Sequence, residues 1–211
     1  MNIIDFHTHR LDATDALISV DPRQFAPQSG KWYSVGYHPW HRVDQLADSD
    51  FDLLEQCARH EQVLAIGETG MDTLRGGDLE VQAQVYVRHL QVAAAVKKTV
   101  VVHSVRTAQQ IIALRHNAGL DSVTLVIHGM RGNGHVTGML IDAGCYLSYG
   151  LRHNPAAVLA TPLDRLLIET DDSPADINDV ACQVADTLAL TAAEVKSLAL
   201  SNARRLLEPS T

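Results

Sequence analysis

Short apolar runs rich in Val and Ile recur along the chain, and most alternate with stretches of helical spacing. The runs at 2–9, 32–38, 63–70, 99–104, 124–130, 145–149 and 165–171 are apolar at successive positions, as expected of strands buried on both faces of a parallel sheet. Residues 16–20 (ALISV) form a weaker eighth run. Helices are predicted over 51–60, 79–98, 107–118, 135–143, 177–189 and 192–207. Several carry terminal signals: Gly119 and Gly144 follow two of them, and Thr191 with Glu194 makes a capping box before the last. Alternating strand and helix implies an α/β fold with a parallel sheet, and eight strands close a (β/α)8 barrel of TIM type.

That barrel is expected to be compact and irregular in its first third. Only residues 10–15 separate His9 from the run at 16–20, whereas a parallel crossover commonly takes a dozen or more. Residues 21–31 (DPRQFAPQSGK) carry two prolines and read as a loop. No boundary or repeat interrupts the pattern, so residues 1–211 are read as a single domain.

Composition narrows the chemistry. With 46% hydrophobic residues in 211, the chain can bury a substantial core. No window reaches the length of a membrane span and no leader pattern opens the chain, so a cytoplasmic protein with no membrane partner is expected. Cys57, Cys145 and Cys182 are odd in number and scattered, which argues against a disulfide framework or a thiolate zinc site. A net charge of −8 argues against an extended surface tracking nucleic-acid phosphates. It leaves room for a small phosphoester held by bound cations, which dominate their local field.

The polar residues that end the apolar runs are the candidate chemistry. His7 and His9 end the first, Glu68 the AIGE run, His103 the VVVH run, His128 the LVIH run and Asp171 the LLIETD run. Active sites of such barrels lie at the C-terminal ends of the strands. His7 and His9 are two apart on a strand and share a face. Four imidazoles and two carboxylates without a thiolate suit Zn, Mn or Mg, and six ligands are better used by two divalent metal ions roughly 3.5–4 Å apart than by one. Glu68 and Asp171 are the expected catalytic carboxylates. His38, in GYHPW, ends a strand at the same edge and is a candidate substrate contact. His60, His89 and His116 lie on predicted helices and are expected to face solvent.

The stretches DFHTH (5–9), VGYHPW (35–40), AIGETGMD (65–72), VVVHS (100–104), HGMRG (128–132), CYLSYG (145–150), RLLIETDDSP (165–174) and SNARRLL (201–207) resemble the TatD family of metal-dependent deoxyribonucleases, in the family's order. The resemblance implies a (β/α)8 barrel with two divalent ions. His7, His9 and Asp171 would hold one, His103 and His128 the other, and Glu68 would bridge them. The family's arginine two positions after the strand-five histidine is Val105 here, and Arg106, one later, becomes the candidate substrate-binding cation. The implied activity is hydrolysis of phosphodiester bonds in DNA or small nucleotides by a metal-activated water, in a monomer or small homo-oligomer. An amidohydrolase-type amide or lactone hydrolase and a non-catalytic metal-binding barrel are the alternatives.

Overall fold

The computed structural model describes residues 2–208. Its eight strands run in chain order around a closed barrel: β1 (Asp5–Thr8), β2 (Ala16–Val20), β3 (Trp32–Val35), β4 (Val63–Asp72), β5 (Thr99–Val105), β6 (Leu125–Ile127), β7 (Tyr146–Tyr149) and β8 (Leu166–Ile168). The strands are buried at nearly every position, the pattern that continuous apolar runs dictate in a parallel sheet. The helices are α1 (Asp48–Ala58), α2 (Leu79–Val96), α3 (Ala108–Asn117), α4 (Gly134–Asp142), α5 (Pro155–Ala160), α6 (Ile177–Leu188) and α7 (Ala192–Leu207).

The described residues pack as two compact units, one of 2–18 with 126–208 and one of 19–125. In the first, β1 pairs parallel with both β2 and β8, and β7 pairs with β6 and β8. No helix links β1 to β2. The connection turns at Asp15, whose φ is +53° and whose carbonyl accepts from the amides of Ile4 and Asp5, with an irregular register between Asp5 and Thr8. An Asp tolerates this left-handed conformation better than most residues, which lets a short link replace a helical crossover. Asn202, buried on α7, donates to the carbonyls of Leu163 and Leu166 and so ties the last helix to the start of β8.

In the second unit β3, β4 and β5 form a parallel ladder. The segment 21–31 is not a plain loop: Pro22–Gln24 is a 3-10 turn, started by Asp21 accepting from the Arg23 amide. The proline supplies the fixed φ that suits a first helical position. Gly70 shows how closely β4 and β5 approach. Its φ is +137°, and a Cβ there would stand 2.1 Å from the His103 carbonyl oxygen. Lys98 lies at the opposite end of this ladder, where its Nζ donates to the carbonyls of Ala58 and Val63.

Sequence-predicted ends shift by a few residues. β1, β3, β6 and β8 stop short of the apolar runs that announce them, because their last residues turn out of the ladder to present side chains. α5 was not foreseen: six residues are too few for periodicity to register, although Asn154 caps it and Pro155 starts it. His89 is corrected from solvent-facing to fully buried on α2. Its ring packs against Tyr37 and Phe51. It accepts from the Tyr37 amide at Nε2 (2.9 Å) and donates from Nδ1 to the Val85 carbonyl (2.8 Å).

Candidate functional site

Within the first unit, His7 and His9 project from β1 and the segment beyond it, His128 follows β6, and Asp171 lies three residues past β8. Donor atoms of His7, His128 and Asp171 all fall within 4.8 Å of one another. Asp171 Oδ1 is 3.6 Å from the Nε2 atoms of both His7 and His9. These distances exceed a hydrogen bond. They come close to the spacing of neighbouring ligands around one cation, about 3–3.5 Å for metal–ligand bonds near 2.1 Å. Asp171 adopts φ +55°, a conformation costing of order 1 kcal/mol that persists only where its surroundings impose it. Two backbone hydrogen bonds do so, Asp171 N to the His7 carbonyl and His9 N to the Asp171 carbonyl.

Two further carboxylates of this unit were not foreseen as site residues. Glu169 is fully buried. Its Oε1 accepts from the Gly129 amide (2.6 Å) and faces His128 Nδ1 at 3.4 Å. That contact engages Nδ1 and makes Nε2 the atom that could bind a metal, a common arrangement behind metal-binding histidines. Asp5, also buried, accepts from the amide and hydroxyl of Thr170. Burial raises its pKa to about 6, the Thr170 hydrogen bonds only partly offsetting this and the Glu169 charge adding to it.

The second unit gathers its own set. Donor atoms of His38, Glu68 and His103 lie within 4.8 Å of one another. Glu68 Oε1 is 2.9 Å from both His38 Nε2 and His103 Nδ1. His38 Nδ1 accepts from the Trp40 amide (3.1 Å), so Nε2 carries the proton and donates to Glu68. His103 Nε2 meets Asp72 Oδ2 at 3.1 Å, which leaves both its nitrogens facing carboxylates. Asp72 also accepts from Trp40 Nε1 (2.7 Å) and from the Leu74 amide. Burial would raise its pKa, but these hydrogen bonds, with His103, hold it below the usual carboxylate range. Arg106 is exposed just beyond β5 with φ +58°.

The structure thus groups His7, His9, His128 and Asp171 in one unit, and Glu68 and His103 with His38 in the other. The family resemblance assigns His128 to the ion of His103; here it stands within reach of His7 and Asp171. Asp5, Asp72 and Glu169 each lie inside a stretch that carries the resemblance; Asp5 and Asp72 end no apolar run, the signal that marks the six candidate ligands, and Glu169 follows Leu166–Ile168 directly but stands two residues before the candidate Asp171.

Comparison with known proteins agrees with this chemistry. The chain is 26% identical over 194 residues to an uncharacterized metal-dependent hydrolase, YabD, of Bacillus subtilis, covering 82% of this chain and 76% of that one. It is 31% identical over 150 residues to the 3'-5' ssDNA/RNA exonuclease TatD of Pectobacterium atrosepticum, covering 66% of this chain and 57% of that one. The crystal structure of YjjV, a TatD homologue from Escherichia coli, superposes with a TM-score of 0.83 at 22% identity, covering 99% of both chains. The family model for TatD-related DNases matches residues 14–208, and the chain belongs to that family of metal-dependent hydrolases.

Proposed function

We propose that this protein hydrolyses phosphodiester bonds of DNA or small nucleotides, with one divalent ion on each ligand cluster. The observation that carries the reading is the 3.6 Å spacing of Asp171 Oδ1 from two imidazoles, which is too long for hydrogen bonds and fits a shared cation. The exonuclease name of the Pectobacterium relative supports the choice of bond. His7, His9, His128 and Asp171 would hold one ion, and Glu68 with His103 the other. Such ions lower the pKa of water and neutralise charge that develops on the attacked phosphate.

The chain's own residues supply the rest. Asp171 accepts the proton of the attacking water, since its side chain keeps 25% exposure and is held in place by its backbone. Glu169 fixes the ring orientation of His128, and Asp72 that of His103. His38 donates to Glu68 and holds its carboxylate toward His103. Arg106, exposed beyond β5, reaches a non-bridging phosphate oxygen as the substrate enters.

Amide or lactone hydrolases of related architecture often bridge their ions with a carboxylated lysine at a strand end. Lys98, the lysine beside β5, is bonded instead to the carbonyls of Ala58 and Val63. The test is degradation of labelled single-stranded DNA and of a chromogenic phosphodiester with added Mn2+, Mg2+ or Zn2+, by wild type and His7→Ala. Metal-stimulated cleavage that disappears in His7→Ala is expected. Cleavage of amides or lactones with no phosphodiester turnover would overturn the proposal.

A further inference from the structure

We infer that Trp40 and Arg75 form a stacking shelf beside the His38–Glu68–His103 cluster that takes the planar base of a nucleotide. This rests on the phosphodiester reading and narrows its substrate to one bearing an aromatic ring next to the reacting phosphate.

Trp40 is one of few large apolar side chains left exposed, at 41%. A solvent-facing tryptophan is ordinarily free to change rotamer, but this one is pinned. Its Nε1 donates to the buried Asp72 Oδ2 (2.7 Å), and its ring sits edge-on against His38 and His103, with centroids 4.8 and 5.3 Å away. The same carboxylate that orients the indole also orients His103, so the ring is in register with the candidate ligands. The Arg75 guanidinium lies over the indole, 4.6 Å from the ring centroid. Arginine planes and tryptophan faces are both surfaces on which nucleic-acid bases stack.

The loop that carries Arg75 is clamped from below. Gln82, fully buried on α2, accepts from the Asp72 amide and donates to the carbonyls of Asp72, Arg75 and Gly77. Gly76 approaches Pro39 so closely that a Cβ would stand 2.2 Å from its carbonyl oxygen. The Trp40 and Arg75 loops therefore form one packed surface. Leu74, in the same loop and 62% exposed, adds apolar surface. Fixed exposed rings of this kind bind with little loss of side-chain freedom, which favours a planar ligand over a flexible one.

The chain has two tryptophans, Trp32 and Trp40, so in a Trp32→Phe background indole fluorescence reports Trp40 alone. The experiment titrates that protein with dAMP and with 2-deoxyribose 5-phosphate, which share the sugar phosphate and differ in the base. We expect dAMP to quench the emission and to bind about 5- to 150-fold more tightly, the range of one base stack. Trp40→Leu, followed by competition with a labelled nucleotide, brings the two ligands to equal affinity, and Trp40→Phe retains most of the preference. Should Trp40→Leu fail to fold, Arg75→Ala, at an exposed side chain, lowers the preference severalfold. Equal binding of the two ligands by wild type, or undiminished preference in Trp40→Leu or Arg75→Ala, overturns the shelf. Base-dependent quenching without phosphodiester turnover would leave the shelf standing and sink the hydrolase reading. Turnover without base preference would do the reverse.

Discussion

Replacing His89 should change how the protein responds to acid. His89 is fully buried on α2, and burial, aided by the nearby Arg88 charge, lowers its pKa from 6.5 to about 4 despite its hydrogen bond to Val85. The folded state therefore resists the proton that the unfolded chain takes up near pH 6.5. Between pH 6.5 and 4 the unfolded state binds more protons, so stability is full above this window and falls as pH drops through it. At 1.36 kcal/mol per tenfold, the drop from 6.5 to about 4 is worth about 3 kcal/mol. His89→Leu removes that liability but strands the Tyr37 amide, which His89 Nε2 accepts from, at about 1–3 kcal/mol. At pH 7.5 the variant should be less stable than wild type by that amount. By pH 4 the gap should close or reverse. Urea unfolding followed by circular dichroism at several pH values measures the difference, and comparing the two proteins cancels the opposite response of Asp5, whose raised pKa of about 6 favours the folded state on acidification. A gap that stays constant from pH 7.5 to 4 would refute the buried neutral imidazole.

Glu68→Gln keeps the side-chain shape but loses the charge faced by two imidazoles at 2.9 Å; metal content by elemental analysis should fall, and phosphodiester turnover should drop by at least about 100-fold. Glu169→Gln removes the carboxylate behind His128 and should weaken metal affinity by about 10- to 100-fold, read by titration against a competing chelator. Gly70→Ala forces a side chain at φ +137° against the His103 carbonyl and should cost at least about 1–3 kcal/mol in chemical denaturation; an unchanged midpoint would contradict that approach. Dialysis against a chelator should lower the thermal midpoint, and adding back a divalent ion should restore it, because a ligand bound only to the folded state adds stability by mass action.

The barrel was legible because parallel strands buried on both faces leave a plain record: apolar runs at 63–70, 99–104 and 165–171 each became a strand in the expected order. The compact first third was legible too, since residues 10–15 are too few for a helical crossover. What the pattern concealed was where each strand stops. The strand expected over 165–171 ends at Ile168, because Glu169 turns toward Gly129, Thr170 bonds Asp5 and Asp171 enters the left-handed region. These are tertiary contacts with partners about 40 and 165 residues away in the chain, and no local window carries them.

The same distinction separates the candidate ligands from the residues that hold them. A candidate ligand such as His103 interrupts an apolar run, so its polarity stands out against its neighbours. Asp72, Glu169 and His89 act through partners that only folding supplies, and their immediate contexts resemble a loop start, a strand end and a helix face. His89 is the clearest case: on a helix among Val, Leu and Arg it reads as a surface residue. Its two ring nitrogens find the Tyr37 amide and the Val85 carbonyl, and a neutral imidazole with one donor and one acceptor satisfies both. Tyr37 immediately precedes His38, so the buried ring on α2 anchors the backbone from which His38 reaches Glu68. Support for the site therefore extends one layer into the core, through residues chosen for hydrogen-bonding capacity at positions where hydrophobicity alone would have accepted a leucine.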